Sequence, residues 1–127
     1  MDRINRGEIW MADFGKPQDD EDHKLHGIRP VVIVSNDIGN KFSSVFHAVP
    51  LTSKVQKKRS MPTHIFIGVS GAKGLKRNSI AQCEQLCRIM QGELVGKIGS
   101  VSREQMLQIV KGIKVQLGME TKPGREV

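Results

Sequence analysis

The sequence predicts a mainly β domain with some α: a small, strongly curved antiparallel sheet with one C-terminal helix packed on it. Three observations carry this. Five or more short β-favouring runs follow one another, separated by segments rich in Gly, Asn and Asp. The apolar period becomes helical only in the last third of the chain. Finally, 127 residues, 38% hydrophobic and 26% charged, are one domain's worth of chain. Such a chain buries roughly 65% of its unfolded surface, enough for a core without a disulfide or a metal.

The first strand is expected over Glu8 to Phe14, where Ile9, Trp10 and Met11 form a short β-favouring run. Gly15 to Gly27 is polar throughout and has no apolar period, so it reads as a long loop, a kind usually tied to function or mobility. Arg29 to Ser35 contains Val31-Val32-Ile33-Val34, a continuous β-branched run that fits a strand buried on both faces. Pro30 stands at its start, where a strand tolerates proline. Asn36 to Asn40 reads as a turn, with left-handed positions at Gly39 and Asn40. Ser44 to Leu51 is the next strand, Lys54 to Arg59 a basic connection, and Thr63 to Val69 alternates like a half-buried strand. After a turn at Gly71 to Lys76, strand character returns over Ile80 to Ile89.

Ser102-Arg103-Glu104-Gln105 is a capping box, with Ser102 as N-cap and Gln105 at the third helical position. Met106, Ile109, Val110, Ile113 and Leu117 follow at helical spacing, and Gly118 is placed to end the helix. Gly112 inside it costs up to ~1 kcal/mol against Ala, which points to close packing there. The expected organisation is one domain over 1–118 and a flexible tail over 119–127.

Twenty Lys and Arg against thirteen Asp and Glu give a formal charge of +7. Four of the acids sit together at Asp19, Asp20, Glu21 and Asp22, leaving nine elsewhere against all twenty bases. Such a balance favours polyanion partners, nucleic acid first, because neutralised phosphates release counterions. No apolar run approaches the ~18 residues of a membrane span, and the N-terminus lacks a signal peptide's apolar core. A cytoplasmic location is expected. Cys83 and Cys87 are too few for a disulfide framework, and no second pair of ligands completes a zinc site. On one strand they would share a face as small core residues. There is no phosphate-binding Gly loop, dinucleotide fingerprint or His-Glu-x-x-His, so neither metal nor cofactor is expected.

Of the four histidines, His47 and His64 fall in predicted strands and read as packed or surface strand residues, while His23 and His26 lie in the long loop, where they could approach a phosphate. Two basic clusters, Lys54 with Lys57, Lys58 and Arg59, and Lys73 with Lys76 and Arg77, lie on separate connections. They form a phosphate track only if they share a face. With four Phe, one Trp and no Tyr, a multi-base stacking platform is not expected.

The order of short blocks goes further. Arg6-Gly7-Glu8-Ile9-Trp10 precedes Gly27-Ile28-Arg29-Pro30-Val31-Val32-Ile33-Val34-Ser35-Asn36-Asp37-Ile38-Gly39-Asn40. Then come Pro50-Leu51-Thr52-Ser53, Met61-Pro62-Thr63-His64-Ile65, and Asn78-Ser79-Ile80 leading to Glu84-Gln85-Leu86-Cys87-Arg88-Ile89. From about Arg6 to Gly118 the chain resembles the MazF/PemK family of toxin endoribonucleases.

The resemblance implies an SH3-like barrel of the kind shared by MazF, Kid and CcdB, with a C-terminal helix. It implies a homodimer whose RNA groove crosses the subunit interface, and metal-independent cleavage of single-stranded RNA at short sequences to 2′,3′-cyclic phosphate and 5′-hydroxyl ends. It also implies a cognate antitoxin whose C-terminal segment covers the RNA site. The family's catalytic arginine falls on Arg29 and its catalytic threonine on Thr52. Ser53 and Lys54 follow the threonine as RNA-binding candidates, and Asn36, Glu84 and Gln85 match positions that line the groove. Two departures stand out: the acidic block in the first long loop, and Asn78 where relatives tend to carry Asp. The competing readings are a CcdB-like gyrase inhibitor and a non-catalytic RNA- or antitoxin-binding module. By resemblance the first needs a Trp near the C-terminus, whereas the only Trp here is Trp10. Intact Arg29 and Thr52 speak against the second.

Overall fold

A computed structural model describes residues 3–16, 25–55 and 61–119. Seven strands form one sheet: β1 (Glu8–Asp13), β2 (Ile28–Ile33), β3 (Val45–Thr52), β4 (His64–Ile67), β5 (Ser79–Gln82), β6 (Cys87–Met90) and β7 (Leu94–Ser100). A short helix α1 (Asp37–Phe42) joins β2 to β3, and α2 (Arg103–Gln116) follows β7. The order across the sheet is β4-β5-β3-β2-β1-β7, with β6 also on β3, and every strand pairing is antiparallel. The expected mainly β fold with a C-terminal helix is what the chain adopts.

The β-branched run explains how the sheet is buried. Val31 and Ile33 face one cluster with Trp10, Ala12, Phe46, Ala48 and Ile89, whereas Val32 and Val34 face another with Ile9, Val49, Leu51, Ile67 and Ile109. Successive residues of a strand point to opposite faces. The bent sheet wraps the first cluster. Helix α2 covers the second through Met106, Ile109 and Ile113.

The stretch expected as one strand over Ile80 to Ile89 is two. Leu51 faces Ala81 and Ala48 faces Cys87, so three residues of β3 lie against six of its partner. The surplus is looped out as a one-turn 3-10 helix, Cys83–Gln85. That turn also undoes the expected shared face of the cysteines. Cys83 is buried in the cluster under α2, and Cys87 packs against the other one. Burial, then the Glu84 charge, pushes the Cys83 thiol up to about 12; burial and Glu93 push Cys87 up to about 11. Both stay protonated and unreactive at neutral pH.

The turn expected at Asn36 to Asn40 is instead the start of α1. Asn36 is its N-cap, its Oδ1 accepting from Gly39 N at 2.7 Å. Neither Gly39 nor Asn40 is left-handed. Asn40 is buried and tied to Ser35, donating to its carbonyl at 3.0 Å and accepting from its hydroxyl at 2.6 Å. Ile38 and Phe42 stay exposed, so this helix has no apolar period to betray it. Strand β7 is equally silent in the sequence, because Gly96 and Gly99 dilute its β signature.

The capping box forms as expected: Gln105 N donates to Ser102 Oγ at 3.0 Å, and Ser102 N to Gln105 Oε1 at 2.9 Å. Gln105 Nε2 also reaches the Gly68 carbonyl at 2.9 Å, tying the helix start to the end of β4. At the other end Gly118 N bonds to Val115 O and Met119 N to Lys114 O, closing the helix on a left-handed Gly118. Among the described residues no helix is long and apolar enough to cross a membrane.

Gly112 packs as its position implied. A Cβ there would lie 2.6 Å from Cys83 Sγ and 3.1 Å from Ile65 Cγ1. Gly112→Ala is therefore expected to destabilise by about 1–2 kcal/mol, overpacking outweighing the gain in helix propensity. In a Cys83→Ala background the penalty should shrink, and a thermal-melt double-mutant cycle measures this. Equal penalties in both backgrounds would refute the contact.

Buried Glu8 gives a second stability prediction. Burial alone would raise its carboxyl, but Lys97 Nζ at 2.7 Å, Asn5 N at 2.8 Å, the Trp10 indole at 3.1 Å and the Asn5 amide hold it below its ordinary 4.5. A carboxylate lowered on folding stabilises above its unfolded pKa, and that stability is lost as pH falls through the folded value. Urea titrations from pH 6 to pH 2.5 should show this loss in wild type and a shallower one in Glu8→Gln.

Candidate active site

The β2–β3 ladder pairs Val31 with Pro50 and Val32 with Val49. Continued two residues past its last pair, the same register sets Arg29 opposite Thr52. By alternation they share the face of Val31 and Pro50. Here the β2–β3 ladder ends: β2 stays paired with β1 on its other edge, Arg29 with Ala12, while Thr52 of β3 pairs with Ile80 of β5. The gap so formed opens into a cleft of about 680 Å³.

Arg29 is half-buried, and its Nε donates to the His26 carbonyl at 2.7 Å. That bond uses the inner edge of the guanidinium. Among the described residues no acceptor is bonded to its two terminal nitrogens. The loop base that carries His26 is itself fixed, because Gly27 N bonds to Gly15 O and Phe14 N to Gly27 O. Thr52 Oγ1 accepts from Lys54 N at 3.2 Å. A hydroxyl that accepts locally keeps its own proton free to donate elsewhere.

Ser53 and Lys54 continue the wall that Thr52 begins, and Lys76, Arg77 and Ser79 also line the cleft, as does His26. Ile28, Pro30, Leu51, Leu75 and Ile98 supply its apolar lining. No carboxylate lines it among the described residues, and neither ion pair found among them, His64–Glu84 or Lys97–Glu8, involves its cations. Arg29, Lys54, Lys76 and Arg77 therefore reinforce one another's field in a concave, partly apolar setting.

Four of the site residues read from sequence, Arg29, Thr52, Ser53 and Lys54, thus converge. Three do not join them within one chain. Asn36 caps α1 and lines a separate groove of about 430 Å³ with Arg6, His47, Ile113 and Lys114, at the other end of the β2–β3 pair. Glu84 accepts from Thr63 Oγ1 at 3.1 Å and lies 2.7 Å from His64 Nε2. That places His64 in a paired, nearly buried position on β4 and leaves His47 exposed on β3. Gln85 is exposed on the 3-10 turn. His23, Lys57, Lys58, Arg59 and the acids 19–22 lie outside the described residues, as does the tail beyond Met119. The sequence flagged Lys76 and Arg77 as basic but could not assign them a face; the topology does, bringing their loop beside the Thr52 end of β3.

A bent antiparallel sheet capped by one helix opens at its strand ends into a cationic cleft that carries hydroxyls and, among the described residues, neither carboxylate nor thiolate; this is a small barrel whose cleft complements an anionic ester. The chain belongs to the PemK-like, MazF-like toxins of type II toxin-antitoxin systems, whose family model matches residues 5–117. It is 33% identical over 118 residues to Endoribonuclease MazF of Staphylococcus saprophyticus, covering 93% of this chain and 94% of that protein. It is 30% identical over 116 residues to Endoribonuclease EndoA of Bacillus subtilis, covering 91% and 96%. Among solved structures, a mycobacterial endoribonuclease in complex with its cognate antitoxin shares the fold, with a TM-score of 0.75 at 24% identity over 94% of this chain and 99% of that one.

Proposed function

We propose that this protein is a toxin endoribonuclease that cuts single-stranded RNA at a short sequence, without a metal ion, and is neutralised by a cognate antitoxin. The observation that carries the reading is that Arg29 and Thr52 line one cleft whose charged lining, among the described residues, is cationic with no carboxylate. That lining suits a phosphodiester. It is a poor fit for a divalent cation, which takes oxygen ligands and above all carboxylates.

RNA brings its own nucleophile, so a sparse set of groups suffices. The 2′-oxygen attacks the adjacent phosphorus, the 2′-O–P bond forms, and the P–O5′ bond breaks. This leaves a 2′,3′-cyclic phosphate and a 5′-hydroxyl. Arg29 presents two terminal N–H groups to the phosphorane oxygens in a fork that matches their geometry. The Thr52 hydroxyl, accepting from Lys54 N, donates to a further oxygen. The 2′ proton passes to water or to His26, whose imidazole lines the cleft, and the 5′-oxygen is protonated from Arg29 or solvent. Arginine stays protonated in proteins, so it is not assigned the base role.

Ser53 and Lys54 hold the RNA beside the cut. Asn36, Glu84 and Gln85 serve RNA binding in a groove completed by a second protomer, which accounts for their distance from the cleft within one chain.

The test is cleavage of a long unstructured RNA by purified protein in EDTA, with the product ends mapped. Discrete cuts with cyclic-phosphate ends are expected. No cleavage by folded protein across a varied RNA pool would overturn the reading in favour of a binding module or a gyrase inhibitor. A monomer at micromolar concentration by light scattering would remove the shared groove.

A further inference from the structure

Most of the charged surface of this chain is ordinary solvated polarity, but one segment differs in how it is held. Residues 73–79, between β4 and β5, carry Lys76 and Arg77 exposed into the cleft, and their backbone is fixed from several sides. Ser100 N bonds to Lys73 O at 3.0 Å in an isolated bridge to β7. Gly74, at φ +84°, lies so close to β7 that a Cβ there would sit 2.3 Å from the Ile98 carbonyl oxygen. Leu75 packs into the cluster under α2. Buried Ser79 donates its hydroxyl to Arg77 O at 2.9 Å, and Asn78 Oδ1 accepts from Val69 N at 3.0 Å. Two cations thus stand on a rigid support in the cleft that Lys54 also lines, with no acidic partner among the described residues.

We propose that Lys76 and Arg77 form a second phosphate subsite, binding the RNA phosphate next to the one that is cut and so setting the register of the strand over Arg29 and Thr52. This rests on the reading of the cleft as an RNA site. A cleft of about 680 Å³ lies in the range that encloses whole small ligands, so it has room for the scissile phosphate and a neighbour. The apolar surface that Leu75 and Ile98 add to the lining suits the sugar that links two phosphates. A subsite of this kind is a positioning device. It tightens binding of ground state and transition state alike, so it acts on KM rather than kcat.

The probe is an RNA oligonucleotide spanning a mapped cut, with 2′-deoxyribose at the attacking position to block cleavage. Lys76→Ala and Arg77→Ala should each weaken binding several-fold at low salt, and the double variant more. Removing one cation that neutralises a phosphate should reduce the slope of log affinity against log salt by about 0.7. On cleavable RNA, kcat should stay within about twofold of wild type. Lys111→Ala, an exposed lysine on α2 away from the cleft, is the control for net charge. Shortening the probe by one nucleotide on the side bearing the neighbouring phosphate should abolish the difference between wild type and the double variant; shortening on the other side should not.

Three results would overturn the proposal: variants no weaker than Lys111→Ala, a fall in kcat at constant KM, or a binding deficit that survives truncation on both sides. A wild type that neither binds nor cuts RNA would instead overturn the functional reading beneath it.

Discussion

Arg29→Ala is expected to lower kcat/KM for RNA cleavage by roughly 10³-fold while leaving the fold intact. Removing a preorganised donor from a developing oxyanion costs about 10²–10³ in rate, and here the group removed is charged and bidentate. The structural cost is small. Arg29 is half-buried, stands near a strand end, and among the described residues its side chain makes one hydrogen bond, from Nε to the His26 carbonyl, so removing it should cost about 1 kcal/mol of stability. The expected signature is a collapse of kcat with a thermal midpoint within a few degrees of wild type. Arg29→Lys separates charge from shape. It keeps the cation but loses the planar fork and the Nε bond that aims it, so most of the activity should still be missing. Thr52→Val, which preserves β-branching and removes only the hydroxyl, should cost about 10² with the same insensitivity of KM. Single-turnover rates on one mapped RNA site decide the matter. If Arg29→Ala keeps more than a tenth of wild-type activity, the catalytic group lies elsewhere.

Arg29 and Thr52 were singled out by the resemblance of their short blocks to the MazF/PemK family, since neither an arginine at a strand start nor a threonine in a strand is distinctive by itself; the fold places both in the lining of one cleft. Lys76 and Arg77 were visible only as charge. Their use depends on which strands lie side by side, and nothing local in Gly71 to Lys76 says that this segment crosses to β7. Glu84 and Asn36 illustrate the converse. Their positions along the chain are clear, but a single chain spends Glu84 on Thr63 and His64 and spends Asn36 on a helix N-terminus.

The fold divides the same way. The β-branched run of β2 and the capped period of α2 are dictated locally, and both appear where expected. Helix α1 and the split of β5 from β6 are tertiary decisions. The first is a six-residue helix kept by a cap and a buried Asn40; the second is a bend that lets consecutive segments pair with the two ends of β3.

The closure of the sheet is the least local of these decisions, and a single added methyl group should break it. Gly99→Ala should destabilise by about 3 kcal/mol or more, lowering the thermal midpoint by roughly 10–15 °C for a domain of this size. The reason is backbone against backbone: a Cβ at Gly99 would lie 1.8 Å from the Lys73 carbonyl oxygen and 3.1 Å from Gly74 Cα. No rotamer relieves that clash. Either β7 or the 73–79 segment must move, and the bond from Ser100 N to Lys73 O goes with it. Gly96→Ala is the matched control, in the same strand with the same methyl added and no atom within 4 Å of the new Cβ. It should change the midpoint by no more than a degree or two. Because the displaced segment carries one wall of the cleft, the still-folded fraction of Gly99→Ala should also bind RNA more weakly at 15 °C, well below its melt, while the Arg29–Thr52 wall on β2 and β3 is untouched. Equal melts for the two alanine variants would mean that the Lys73–Ser100 bridge does not close the sheet. A large loss of stability with undiminished RNA affinity would separate the closure of the sheet from the shape of the cleft.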